Sequence, residues 1–429
     1  MISRIKDSSN SSSVLLVVLV LASLTQPSSA HNVDHGQWED VLKIVSADVQ
    51  KNFYDPQMKG LDWAGLTEQT RQRISTARST GEMILAVSVL LTRLEDSHTY
   101  FVPPPLTARS DFGFKARAYE NEIRVYEITP KGPAEKAGLH VGDKILSLNG
   151  VSLDRTNVRE VLRLVTAAVP ASALDIDIAV SSGSRPHTVH VPAHLITRQE
   201  HQYLDSVFRV ADQQRAMDVH PNFASKEYPD DTLYIRVPSF TASPEATFSE
   251  ISKAQHARSL VLDLRGNPGG WEETLLAFLG FFAEQPEILA KRFARSQAQE
   301  VGIKPRNSRF HGSITILVDS DTGSAAELAA RHLQLSHKAV VVGDVTSGAV
   351  NEGHIIEEKV GAQFVMPFAV VVTHAKLVMP TGEELEGHGV VPDLKCVPST
   401  EDLVRNRDGC LDQALSLAKQ SPASVKPTP

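Results

Sequence analysis

Apolar positions recur at helical spacing from Trp38 onward. Val41, Leu42, Ile44, Val45 and Val49 fall at the intervals of an amphipathic helix. Met83 to Leu94 (MILAVSVLLTRL) is apolar nearly all round, the pattern of a helix buried on every side. Pro103-Pro104-Pro105 then ends the helical region, because three consecutive prolines cannot continue a helix and make a stiff extended linker. From about Ser110 to Leu195 the period shortens to two. Ile123–Tyr126, Leu174–Ile178 and His187–Val191 alternate and predict half-buried strands, with one helix near Val158–Ala168. After Arg198 continuous apolar runs at Ser259–Leu264, Ile314–Val318, Ala339–Val342 and Phe368–Val372 predict buried strands. Helices are expected between them at Glu272–Phe282 and Ala325–Leu335, which gives this last block an α/β character.

The first 30 residues have a different texture. Arg4 and Lys6 precede an uncharged stretch from Val14 to Leu24, and Pro27-Ser28-Ser29-Ala30 offers a small-residue cleavage site. This is the pattern of a secretory signal, with the mature chain expected to start near His31. The stretch is about half of the ~20 apolar residues that a spanning helix needs, and no later segment is long and apolar enough. The expected location is therefore the periplasm or the cell exterior, with no integral membrane anchor after cleavage. In such an oxidising compartment Cys396 and Cys410 can pair, and two unpaired buried thiols is the alternative reading.

Composition narrows the function classes. Lys+Arg 43 against Asp+Glu 51 leaves a net charge of −8, which argues against a nucleic-acid partner. Hydrophobic residues at 41% exclude a mostly disordered chain, and a length of 429 residues allows two or three domains. With two cysteines, no HExxH and no P-loop, the sequence offers no metal or nucleotide site, and no cofactor is expected.

The run Gly132-Pro133-Ala134-Glu135-Lys136-Ala137-Gly138-Leu139-His140-Val141-Gly142-Asp143-Lys144-Ile145-Leu146-Ser147-Leu148-Asn149-Gly150 reads as a short helix, a glycine turn, an alternating strand and an Asn-Gly turn. It resembles a PDZ domain of the bacterial protease type. The resemblance puts Phe112-Gly113-Phe114 at the carboxylate-binding loop, where backbone N–H groups and an adjoining strand edge would hold a peptide terminus.

Two further segments carry chemistry. In Leu260–Gly270 (LVLDLRGNPGG) a buried strand runs into a glycine pair, which lets a backbone N–H approach developing negative charge. In the second, Ile314–Val318 leads through Asp319-Ser320-Asp321-Thr322-Gly323 to Ser324-Ala325-Ala326-Glu327 and a helix. Ser324 at a helix N-terminus is a favoured capping residue, and Glu327 completes a capping box. The same position also suits a nucleophile, because the unpaired N–H groups and positive dipole end stabilise an oxyanion.

Taken together with the PDZ-like run, these segments resemble the carboxyl-terminal processing peptidases, or tail-specific proteases, and their tricorn-core relatives. The resemblance spans about Trp38 to Ala418. It implies a signal peptide at 1–30, a helical amino-terminal region at 31–105, a PDZ-like β-rich module at 108–197, a crotonase/ClpP-like α/β serine peptidase core at 198–420 and a polar tail at 421–429. It also implies Ser324 as nucleophile, with the N–H of Ala325 and one from Gly269 or Gly270 as the oxyanion hole.

The chain departs from the better-known branch of that family, which uses a Ser–Lys dyad. Counting the family's 25 residues on from Ser324 reaches Ala349, and Thr346–Val350 contains no lysine. The tricorn-like branch instead draws a histidine from the helical region and a glutamate from near the carboxyl end. Leu94-Glu95-Asp96-Ser97-His98-Thr99-Tyr100 and Glu386-Gly387-His388-Gly389-Val390-Val391-Pro392-Asp393 match its two patterns. On this resemblance His98 takes the Ser324 proton, and Glu386, directly or through Ser97, orients the imidazole. His388, His332, Lys338 and Lys376 are the competing bases. The expected function is a secreted serine endopeptidase acting on proteins or peptides through their carboxyl-terminal segments. The alternative is a catalytically silent member that binds peptides or ligands.

Overall fold

Side-chain caps start the first three helices. Asp34 accepts the Gln37 N–H at α1 (His35–Asn52), Asp62 accepts Gly65 at α2 (Trp63–Thr76), and Ser79 accepts Glu82 at α3 (Thr80–Thr92). Each satisfies an N–H that the helix itself cannot. Trp38, Val41, Leu42, Val45 and Val49 form the buried face of α1, and α3 is buried continuously from Met83 to Leu91. The computed structural model describes residues 34–104, 108–164, 173–179, 186–197, 223–336, 338–361 and 365–420. The expected signal peptide, the polar tail and the chain from 198 to 222 lie outside the described residues. The chain divides into two compact units, residues 1–207 with 354–372 and residues 208–353 with 373–429.

In the first unit β1 (Tyr100–Val102) and β2 (Ala108–Asp111) lead into the β-rich module. Its elements are β3 (Phe114–Tyr119), β4 (Glu122–Ile128), α4 (Pro133–Lys136), β5 (Lys144–Leu148), β6 (Val151–Ser152), α5 (Val158–Arg163), β7 (Ala173–Ala179), β8 (His187–Pro192) and β9 (His194–Thr197). The sheet order is β3-β4-β5-β7-β8, with β6 on β5, and β2 pairs β9 separately. Asn149 and Gly150 both have positive φ, 49° and 76°, as a tight hairpin turn between β5 and β6 requires. The expected helix over Val158–Ala168 is described as far as Arg163, and residues 165–168 lie outside the described residues.

The second unit opens with β10 (Ala224–Tyr228), β11 (Thr232–Arg236), α6 (Pro244–Ile251), β12 (Ser259–Asp263), α7 (Glu272–Leu279), β13 (Glu287–Ala294), β14 (Ala298–Ile303), β15 (Ser313–Val318), α8 (Ala325–Leu335) and β16 (Ala339–Gly343). In chain order follow β17 (Glu352–Val360) and β18 (Met366–Val378), which belong to the first unit over residues 354–372, and then β19 (Leu394–Lys395), α9 (Thr400–Val404) and α10 (Gly409–Gln420) of the second. Its main sheet has the order β10-β11-β12-β15-β16-β19, and every pair after β10–β11 is parallel. Parallel neighbours need crossovers; α6, α7 and α8 lie in the first three, and the β16–β19 connection runs through two further strands instead. α7 stops at Leu279, three residues short of the expected Phe282, because Gly280 closes it and turns of i→i+3 bonds take Phe281 and Phe282 into the core. β18 is longer than the apolar run Phe368–Val372, continuing past His374 and Lys376. Its earlier half pairs with β1 in the first unit, Tyr100↔Val371 to Val102↔Ala369, and its later half pairs with β13 in the second. Cys396 and Cys410 form a disulfide, so the paired reading of the two cysteines holds.

Candidate active site

The strand ends of β12 and β15 are stitched together by hydrogen bonds from their loops. Leu264 N–H donates to Leu317 O at 2.9 Å, Gly266 N–H to Asp319 Oδ1 at 2.8 Å, and Gly323 N–H to Asn267 O at 2.8 Å. The Thr322 hydroxyl donates to Leu264 O at 3.0 Å. These bonds bring Ser324 against the glycine run: a Cβ on Gly269 would lie 2.5 Å from Ser324 Cβ and 2.9 Å from Ala325 N. Only a residue without a side chain fits there, and φ of +101° at Gly269 points the same way.

Ser324 sits at φ 52°, ψ −123°, a region that residues with a Cβ rarely adopt. Its N–H is shared between Ala349 O at 2.7 Å and Glu327 Oε2 at 3.0 Å. Such backbone strain persists only where the surroundings over-determine it. Ala325, the first residue of α8, has no partner for its N–H among the described residues. The two glycines differ. The Gly269 N–H is committed to the buried Asn267 Oδ1 at 2.8 Å. Gly270 is exposed, and its bridge to Phe240 uses the Gly269 carbonyl and the Trp271 N–H, not its own. Gly270 is therefore the glycine of the pair whose N–H is left for a ligand.

Glu327 does more than complete a capping box. Its side chain is fully buried and accepts from Gly348 N–H at 2.7 Å, Ala349 N–H at 2.9 Å, the hydroxyls of Thr346 and Ser347, and Ser324 N–H. Burial pushes its carboxyl above the ordinary carboxylate range, against the pull of those donors. The carboxylate shapes the turn at 346–349 and so the position of Ser324. Within this turn Ala349 is buried where the dyad lysine would stand. Glu386 Oε2 accepts from Val350 N–H at 2.9 Å and Asn351 N–H at 3.1 Å, directly after that turn. Thus the second unit gathers Gly269, Gly270, Ser324, Ala325 and Glu386 around one turn.

Ser97 and His98 belong to the first unit. Asp96 Oδ1 accepts the His98 N–H at 3.1 Å and the Thr99 hydroxyl at 3.0 Å, a side-chain turn typical of aspartate. Ser97 Oγ lies 2.8 Å from His98 Nδ1. The residues that follow are anchored through Phe101, which is fully buried and packs on Trp38 and Phe368. Asp96 went unremarked in the sequence, although an Asx turn was its available signal.

The competing bases are each held elsewhere. His332 Nε2 meets Glu287 at 2.8 Å, Lys338 donates to Glu287 and Phe282 O at 3.0 Å, and Lys376 pairs with Glu384 at 2.6 Å. Burial holds the His332 ring below the usual imidazole range despite Glu287. His388 is exposed and bonded to its own Glu386 carbonyl. Two charged residues of the Leu260–Gly270 segment face other partners. Asp263 accepts from Tyr234 and Arg265, and Arg265 also grips Asp408 just before α10. In the PDZ-like loop Phe112 is buried, and the Gly113 N–H is engaged by Asp111 Oδ1 at 2.9 Å. Phe114 opens β3, which stands at the end of its sheet among the described strands.

A strained serine at a helix N-terminus, with the Ala325 N–H beside it and Gly269 packed against it, suits a serine-type acyl hydrolase. Comparison with known families makes the class specific. Residues 231–396 match peptidase family S41, 124–174 a PDZ domain, and 34–88 the tricorn protease C1 domain. By these matches the chain is a serine-type peptidase, similar to family S41 over residues 231–396, with a PDZ domain. It is 25% identical over 372 residues to the chloroplastic C-terminal processing peptidase of Tetradesmus obliquus, covering 82% of this chain and 75% of that one. It is 24% identical over 363 residues to the carboxyl-terminal-processing protease of a Synechocystis species, covering 80% and 78%. The solved structure of mature CPAF complexed with lactacystin shares the fold, with a TM-score of 0.65 at 14% identity over 90% of this chain and 98% of that one.

Proposed function

We propose that the chain is a carboxyl-terminal processing endopeptidase that works through an acyl-enzyme on Ser324, with His98 as general base and Glu386 orienting it, directly or through Ser97. The observation that carries this reading is Ser324 in its strained backbone beside the Ala325 N–H, with alanine rather than lysine at 349. A Ser–Lys mechanism has no lysine in that turn. The 2.8 Å contact between Ser97 Oγ and His98 Nδ1 suits the histidine reading, since a proton on Nδ1 leaves the lone pair on Nε2.

The sequence of steps follows. His98 Nε2 takes the Ser324 hydroxyl proton as Oγ attacks the scissile carbonyl. The N–H groups of Ala325 and Gly270 stabilise the oxyanion, and imidazolium then returns the proton to the leaving amine. Water, activated by the same histidine, releases the acyl group. Substrates would enter by their carboxyl-terminal ends, with β3, the end strand of its sheet among the described strands, as the strand that pairs with them. Secretion is part of the same reading: the leader would be removed after Ala30, and the Cys396–Cys410 disulfide suits an oxidising compartment. None of the described helices is long and apolar enough to cross a membrane.

A labelled fluorophosphonate tests the reading. Wild type should react covalently and Ser324→Ala should not, although both fold. A wild-type protein that stays unlabelled while binding carboxyl-terminal peptides would replace the peptidase with a silent binding member.

A further inference from the structure

Arg292 on β13 stands between two carboxylates that open the segments following the glycine run and the turn at 346–349. Its Nε donates to Glu352 Oε2 at 2.6 Å and its Nη2 to Glu352 Oε1 at 2.8 Å, a bidentate fork. The same Nη2 also reaches Glu272, and Nη1 reaches Gln299 Oε1 at 3.3 Å. His374 Nε2 lies 3.5 Å from Glu352. Glu272 is the first residue of α7 and follows Gly270 by two positions. Glu352 opens β17 and follows by three positions Ala349, whose carbonyl accepts the Ser324 N–H. All of these residues lie in the second unit.

Exposed ion pairs contribute little, but the side chains of Arg292 and Glu352 are only 21% and 19% exposed, so this pair is largely withdrawn from water. Burial holds the Glu272 carboxyl above the ordinary range, although Arg292 pulls it down. The glycine run has positive φ at Gly266, Gly269 and Gly270 and is held near its end by the bridge to Phe240. A loop of that kind keeps a fixed N–H direction only if its exit is pinned as well.

We propose that Arg292 is a positioning residue for the oxyanion hole: by gripping Glu272 and Glu352 together it fixes the Gly269–Gly270 loop relative to the turn that holds Ser324. This rests on Ser324 being the nucleophile. A change at a residue that never touches substrate, if it misplaces the reacting groups by about 1 Å, costs up to ~100-fold in rate.

The test uses the full mature chain, a small chromogenic ester and the fluorophosphonate. Arg292→Met should lower kcat and the labelling rate per folded site by roughly 10- to 100-fold while KM changes little. Arg292→Lys keeps the charge but not the fork, and should lie between. A purely structural role would lower the melting temperature and leave the rate per folded site untouched. Labelling of Arg292→Met at the wild-type rate, or a loss that only tracks the unfolded fraction, overturns the proposal. If Arg292→Met does not fold, Glu352→Gln must show the same kcat loss, and a wild-type kcat there overturns it. A wild type that is not labelled removes the Ser324 reading and this proposal with it, whereas a labelled wild type beside an equally labelled Arg292→Met removes the proposal alone.

Discussion

The loops around Ser324 and the turn around His98 are built in opposite ways. Ser324 is held by backbone: its N–H is doubly engaged, Gly269 leaves no room for a Cβ, and five donors converge on the buried Glu327. The His98 turn is shaped by side chains, with Asp96 accepting from His98 and Thr99; its imidazole is half-buried, and the Ser97 hydroxyl beside it is exposed. The group that must carry strain is over-determined. The group proposed to gain and lose a proton is kept accessible. Stability and activity should therefore separate around His98 and fall together around the glycines.

The largest effect sharpens this contrast. His98→Ala should cost on the order of 10⁴- to 10⁶-fold in kcat/KM while leaving the melting temperature near wild type. Gly270→Ala should cost ~100- to 1,000-fold in kcat and also lower the melting temperature, since a Cβ there would lie 2.3 Å from the Phe240 backbone carbon. Calorimetry beside steady-state kinetics measures both. A fully active His98→Ala enzyme would return the search to the lysines, and a Gly270→Ala protein of wild-type stability would break the comparison.

Much of this arrangement was legible in the sequence, and the exceptions share a cause. Ser324, Ala325 and the glycine pair announce themselves locally, by a buried strand that ends in glycine or by a helix that starts at serine. The Asn149-Gly150 turn did the same. Glu327 was legible only as half of a capping box, because its partners at Thr346 to Ala349 lie about twenty positions on. Arg292 was not legible at all: its two carboxylates are 20 and 60 residues away, and no periodicity reports such pairs. Asn267 takes up the Gly269 N–H with its side chain, a role that no local pattern reports. Local pattern yields elements and special backbone, whereas side-chain chemistry between distant segments needs the fold.

A smaller effect tests the other half of the contrast. Ser97→Ala removes one orienting hydrogen bond, worth about 1 kcal/mol, and should lower kcat by about 3- to 10-fold with no loss of stability. Stopped-flow acylation would read it directly, and an unchanged rate would leave Ser97 outside the orienting path.

The smallest effect concerns pH and stability at His332, on the helix that Ser324 begins. Burial lowers its folded-state pKa, so the unfolded chain binds the proton more readily. Its contribution is therefore present above the ordinary imidazole value of ~6.5 and is lost as pH falls through the lowered one. Glu287 beside it acts in the same direction at lower pH. Burial works against its charged form, but Lys338 and His332 outweigh that and hold its carboxyl below the usual range. His332→Gln should flatten the fall of melting temperature just below pH ~6.5. Identical slopes in the two proteins would remove His332 from the acid response.

β18 runs without interruption from residue 366 to 378, and its earlier half is the strand that β1 pairs with two residues after His98. A ribosome has therefore already released Ser324 and its helix before it delivers the partner that the His98 segment needs. On the proposed reading the order of synthesis becomes a safety device, because a nascent or truncated chain would carry the serine without a finished seat for His98. An enzyme that cuts polypeptides would thus stay inert until almost its entire own polypeptide has emerged.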